Sequence, residues 1–76
     1  MTRFFFDYTA SERSLLDYRG EEFRSGRAAI EFADAIAYNL TNSLSENWTG
    51  WSVEVRNAEG QIIHTLRIRM PERYAA

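Results

Sequence analysis

GRAAIEFADAIAYNLTNSL, running from Gly26 to Leu44, is the stretch of the chain long and periodic enough to be a helix. Ala29, Phe32, Ala33, Ile36, Ala37, Leu40 and Leu44 recur at steps of three and four, so at about 3.6 residues per turn they fall in one arc. Arg27, Glu31, Asp34, Tyr38, Thr41 and Asn42 take the other side. An apolar arc that wide needs a surface to cover it, and the rest of the chain offers alternating, strand-like runs and no second helix. The sequence therefore predicts an α+β fold: ββαββ, one helix packed on one face of a four-stranded antiparallel sheet.

Working back from the helix, Ser25 is the best N-cap and Phe23 is placed to pack against the first turns. Gly26 and Arg27 make a poor start, one for its low propensity and the other for its charge at the positive end of the dipole. Asp17-Tyr18-Arg19-Gly20 reads as a turn in which the carboxylate accepts nearby backbone N–H groups and Gly20 supplies positive φ. Ser14 to Tyr18 is the second strand, with Leu16 and Tyr18, or Leu15, facing the core. Thr9 to Arg13 is a loop. Thr2 to Tyr8 is the first strand, with Phe4, Phe6 and Tyr8 on one face and Arg3, Phe5 and Asp7 on the other.

Working forward, Trp48 to Asn57 is the third strand, with Trp51, Val53 and Val55 inward. Asn57-Ala58-Glu59-Gly60 is a hairpin turn with Gly60 left-handed. Gln61 to Met70 returns antiparallel and Pro71, which cannot donate to a ladder, ends the sheet. Residues 1–70 form a single domain and 71–76 a flexible tail. Strand order 2-1-4-3 is preferred to 2-1-3-4. Strict alternation from Ile68 and Leu66 would turn His64 and Ile62 inward and Ile63 outward; a bulge near His64 would instead bring Ile63, Leu66 and Ile68 to the core, and is preferred because a buried imidazole needs partners.

Composition excludes several kinds of function. Seventy-six residues make one small domain, which hides only about 60% of its extended surface. All nine Lys-plus-Arg residues are Arg, against eleven acids, so the net charge of -2 argues against wrapping nucleic acid by bulk charge. The absence of cysteine removes disulfides, thiolate ligands and cysteine nucleophiles. An Asp directly follows the three consecutive Phe near the N-terminus, leaving neither a signal core nor a membrane span. A cytoplasmic location is expected.

The opening Met1-Thr2-Arg3-Phe4-Phe5-Phe6-Asp7 resembles M-x-R-Y-F-F-D, the start of a family of small proteins of unknown function found mainly in alphaproteobacteria. Asp17, Gly20 and Glu22 before Ala28, Ala29 and Ala33 resemble its D-x-x-G-x-E and Ala-rich helix. Val53, Val55, Gly60, Ile63, Leu66 and Ile68 fit its closing hairpin. Ser25, Gly26 and Arg27 depart from the acidic helix start common in that family, which implies a weaker start here. The resemblance implies a fold and brings no activity, cofactor or catalytic residue.

Sites for chemistry are sparse. His64 is the single histidine and has no H-x-x-x-H partner, so it is read as a half-exposed strand residue rather than a ligand. Asp7, Asp17 and Glu22 could converge as a carboxylate site, but the simpler reading has Asp17 ordering its own turn while Asp7 and Glu22 pair with Arg or amides. No glycine spacing makes a phosphate loop. No cofactor, metal or catalytic residue is assigned.

The outer sheet face carries more information. Parity places Arg3, Phe5, Arg56, Arg67 and Arg69 there, as a candidate interaction face. The expected function is a non-catalytic protein-interaction or self-association module, with a homo-oligomer or another protein as partner. Weak nucleic-acid binding through the Arg-bearing face is the alternative.

Overall fold

The computed structural model describes residues 1–69. Its elements are β1 (Thr2–Thr9), β2 (Ser14–Leu15), β3 (Glu21–Phe23), α1 (Gly26–Thr41), β4 (Ser52–Arg56) and β5 (Ile62–Arg67). All strand pairs are antiparallel and one helix packs on one face, which is the α+β, ββαββ arrangement expected. The main path through the sheet is β2-β1-β4-β5, with β3 also paired to β1. The expectations for Met70, Pro71 and a tail over 71–76 lie outside the described residues.

Strand order is the first correction. β1 lies beside β4, the first arm of the C-terminal hairpin, and not beside the second arm as the 2-1-4-3 order required. Val53 and Val55 on β4 are fully buried, whereas Leu66 and His64, which pair with them on β5, are only partly buried. The more apolar inward pair takes the central place, where both neighbours and the helix remove it from water. Arg56, on the opposite face of β4, is thereby brought to Asp7 of β1.

The second strand is the next correction. It stops after two residues, because Asp17 turns back and its Oδ2 accepts the Phe6 N–H at 3.1 Å, replacing a ladder bond with a side-chain bond. Neither alternative expected at the core is found there: Leu16 and Tyr18 are 50% and 87% exposed, and Leu15 is 47% exposed. β3 is additional to the expected elements. Its two Glu residues carry little strand propensity, but it pairs Thr2 with Phe23, Arg3 with Glu22 and Phe4 with Glu21, so β1 supplies the ladder that local sequence does not suggest.

The helix starts as expected, with Ser25 Oγ accepting the Ala28 N–H at 3.2 Å. It ends at Thr41 rather than Leu44. The Asn42 side chain donates to the Tyr38 carbonyl at 2.9 Å, competing with a further helical turn, and Leu44 is almost fully exposed instead of joining the arc. Ala29 and Ala33 are completely buried. They complete a core with Phe4, Phe6, Val53, Val55 and Ile68, flanked by Phe23, Ile36, Leu40, Trp51 and Leu66.

The expected bulge is present at Ile63: Val55 pairs with His64 and Arg56 with Ile62, leaving one residue unpaired. Ile63 does not join the core as expected: it stays 37% exposed and only skirts the helix start, its Cδ1 3.6 Å from the position a Cβ on Gly26 would take. His64 is not turned outward by the bulge. It shares the helix-facing side with Val55 and stands at the sheet edge, 4.0 Å from Asp34 of α1, where water still reaches it.

Candidate functional site

Two features dominate the surface around β1: a network under its outer face and a groove beside its inner face. The network begins with Asp7, the sole buried charged residue among the described residues, at 3% exposure. Arg56 reaches it from β4 with a two-pronged bond, Nε to Oδ2 at 2.9 Å and Nη2 to Oδ1 at 3.2 Å. Nη2 also donates to the Asp17 carbonyl at 3.0 Å, and the Asp17 N–H donates to Asp7 Oδ1 at 2.9 Å. Asp17 Oδ1 accepts from Arg19 and Gly20, as its turn required.

Every carboxylate oxygen of Asp7 and Asp17 is therefore engaged. Burial pushes the Asp17 carboxyl up, but the backbone N–H groups of Gly20, Arg19 and Phe6, with Arg56 nearby, outweigh it and hold the group below the usual carboxylate range. The Arg56 guanidinium is pushed up, chiefly by its bond to Asp7. Tyr8 is raised by burial and then by the charge of Asp17.

Phe5 and Gly20 complete this cluster. The Arg56 guanidinium carbon lies 4.7 Å from the Phe5 ring centroid, so the half-buried ring is covered by a cation. A Cβ on Gly20 would come within 2.8 Å of the Phe4 carbonyl oxygen and of the Phe5 ring, and Gly20 has φ of +70°. Arg3 binds the Arg19 carbonyl and Glu22 at 2.8 and 3.2 Å. The outer face thus gathers Arg3, Phe5 and Arg56 at one end. Arg67 lies opposite Ser52, at the other end of β4, and Arg69 follows beyond β5. The structure brings three of the five expected face residues together and separates them from the other two.

The groove is a consequence of where α1 sits. The helix lies chiefly over β4 and β5, so the inner face beside β2 is only partly covered. Phe6, Tyr8, Leu15, Leu16, Phe32 and Ile36 line an open concavity of about 600 Å³ there, with Asp17, Arg19 and Glu21 at its margin. Phe32 stacks edge-on against Phe6 yet remains 39% exposed. Sequence reasoning assigned Phe32 and the leucines to the core. The signal that could have revealed the groove is Leu15-Leu16-Asp17, where a structured turn begins too soon for the strand to continue.

Trp48 packs against Tyr8 and Trp51, and Arg13 caps the Trp51 ring. Among the described residues no helix is long and apolar enough to cross a membrane. No curated protein and no solved structure matches the chain. A family model, described as domain of unknown function DUF6894, matches residues 3–69, from the Arg3 clasp to the end of the sheet, and the chain belongs to that family.

Proposed function

We propose that this domain is a small, non-catalytic protein-interaction module that self-associates through the groove between α1 and β2. The observation that carries the reading is the open apolar groove, bounded by two half-exposed leucines and by Phe32. Exposed apolar side chains gathered in one concavity favour burial against a partner, unlike apolar residues scattered singly. The partner is a second copy of the chain. Arg19 and Glu21 border the same groove, so a two-fold axis can set each against its opposite in the other copy, and Leu16 of one copy can enter the groove of the other.

The engaged state of Asp7 and Asp17 supports the non-catalytic part, because each oxygen already accepts a backbone or guanidinium hydrogen bond and neither carboxylate is left to move a proton. The module is read as cytoplasmic and bacterial, in keeping with the M-x-R-Y-F-F-D-like opening. Light scattering coupled to size exclusion is the test: the parent chain gives the mass of a dimer at micromolar concentration and Leu16→Asp gives that of a monomer. A parent mass of one chain throughout overturns the reading.

The alternative is weak nucleic-acid binding through Arg3, Phe5, Arg56, Arg67 and Arg69. It has less support, since Arg3 and Arg56 already hold carboxylates and Phe5 lies beneath Arg56. Fluorescence anisotropy with short single strands at two salt concentrations tests it, and no signal at low salt removes it.

A further inference from the structure

We propose that the end of the sheet formed by Thr9, Ser52 and Arg67 is a binding site for a phosphate monoester. The argument begins with register. Thr9 pairs with Ser52 and Ser52 with Arg67, so three neighbouring strands place two hydroxyls and a guanidinium in one row on one face. Thr9 and Arg67 are two strand spacings apart, roughly 10 Å, which leaves room for a tetrahedral anion over Ser52 within reach of an Arg side chain.

The row opens into a concavity of about 480 Å³ that Ser11, Thr49, Gly50 and Trp51 also line. Backbone bonds from Gly50 to the Ile68 carbonyl and from Ile68 to the Trp51 carbonyl hold its wall against the end of β5. Its lining contains four hydroxyls and one guanidinium and no carboxylate. Among the described residues none of these five polar groups is paired with another side chain.

Charge distinguishes this place from the other arginines. Arg3, Arg27 and Arg56 are ion-paired, and the groove that Arg19 borders also holds Asp17 and Glu21. Arg67 alone among them faces a concavity lined by hydroxyl donors. Guanidinium and hydroxyls are donors matched to an oxyanion with several acceptor oxygens, and Arg does so with directed N–H groups rather than as a point charge. Trp51 also borders the concavity, with its ring packed against Trp48 and Arg13 over it.

The site is distinct from the groove between α1 and β2, so its fate does not depend on self-association. Inorganic phosphate and 5′-AMP are titrated separately into the full chain at constant ionic strength, with chloride as the control anion, and followed by amide and Arg Nε NMR signals. Saturable shifts are expected at Thr9, Ser11, Gly50, Ser52 and Arg67. Arg67→Gln is expected to weaken the binding about tenfold, the scale of one charge-assisted hydrogen bond. Ser52→Ala is expected to weaken it less, and Arg24→Gln, an exposed arginine elsewhere, to leave it unchanged. Tighter binding of 5′-AMP than of inorganic phosphate supports a ligand whose ester group also touches the lining of the concavity. Equal shifts with chloride, equal losses in Arg67→Gln and Arg24→Gln, or binding only by a single-stranded oligonucleotide overturns the proposal.

Discussion

Asp7 and Arg56 stand 49 residues apart in sequence and meet through a two-pronged ion pair of 2.9 and 3.2 Å, beneath the outer face of the sheet. Cross-strand register sets Asp7 opposite Glu54 and Arg56 opposite Phe5, so the pair runs diagonally between β1 and β4. The diagonal places the guanidinium over Phe5 on its way to the carboxylate. One side chain thus joins the C-terminal hairpin to both β1 and the Asp17 turn.

Removing either partner should be far worse than removing both. Asp7 is buried, and leaving Arg56 or Asp7 without its mate strands a charge away from water. Asp7→Ala and Arg56→Ala are each expected to cost about 3 kcal/mol or more, while a double variant with apolar replacements recovers part of the loss. Urea melts of the four chains in a double-mutant cycle measure it, and additive losses would show that the two residues act independently.

Acid stability should depend on Asp17. Its carboxyl is held below the ordinary carboxylate pKa in the folded chain, so the folded state favours the ionised form more than the unfolded state does. The resulting stabilisation is fully present above about pH 4, the unfolded value, and is lost as pH falls through the lower folded value. Asp17→Asn is expected to flatten this acid limb of stability against pH, measured by denaturant midpoints. An unchanged slope would assign the limb to other groups.

Two left-handed glycines should respond differently to alanine. Gly20→Ala meets both a positive φ and backbone and ring atoms within 2.8 Å, so a loss above about 2 kcal/mol is expected. At Gly60 a Cβ meets nothing within 4 Å, and the backbone preference alone should cost about 1 kcal/mol. Thermal melts compare the two; equal losses would mean that Phe5 moves aside freely.

The helix face can be tested in the same way. Ala33 is wholly buried against the sheet, and Ala33→Leu should overpack that contact at a cost of about 1 to 3 kcal/mol. Asp34 is exposed and only at the margin of reach of His64, so Asp34→Ala should change stability by less than about 0.5 kcal/mol. Denaturant melts with equal losses would show the helix rotated from the described face.

The sequence by itself determined the elements whose cause is local or periodic. The three-and-four spacing of Ala29, Ala33 and Ile36 required a helix with one apolar face, and alternation in Phe4 to Tyr8 and in Val53 to Val55 required strands. The Asp17 turn and the Ser25 cap were also legible, because each is decided by a few neighbouring backbone groups; the bulge near His64 was legible from the apolar pattern, although it leaves His64 on the helix-facing side. Tertiary structure alone decided which hairpin arm lies beside β1, since alternation assigns faces but not neighbours. It likewise cut β2 short, recruited Glu21–Phe23 as a strand and left Leu15, Leu16 and Phe32 around an open groove. Those outcomes depend on the Asp17 side chain replacing a ladder bond and on a helix seated over β4 and β5, contacts between distant segments that no local pattern encodes.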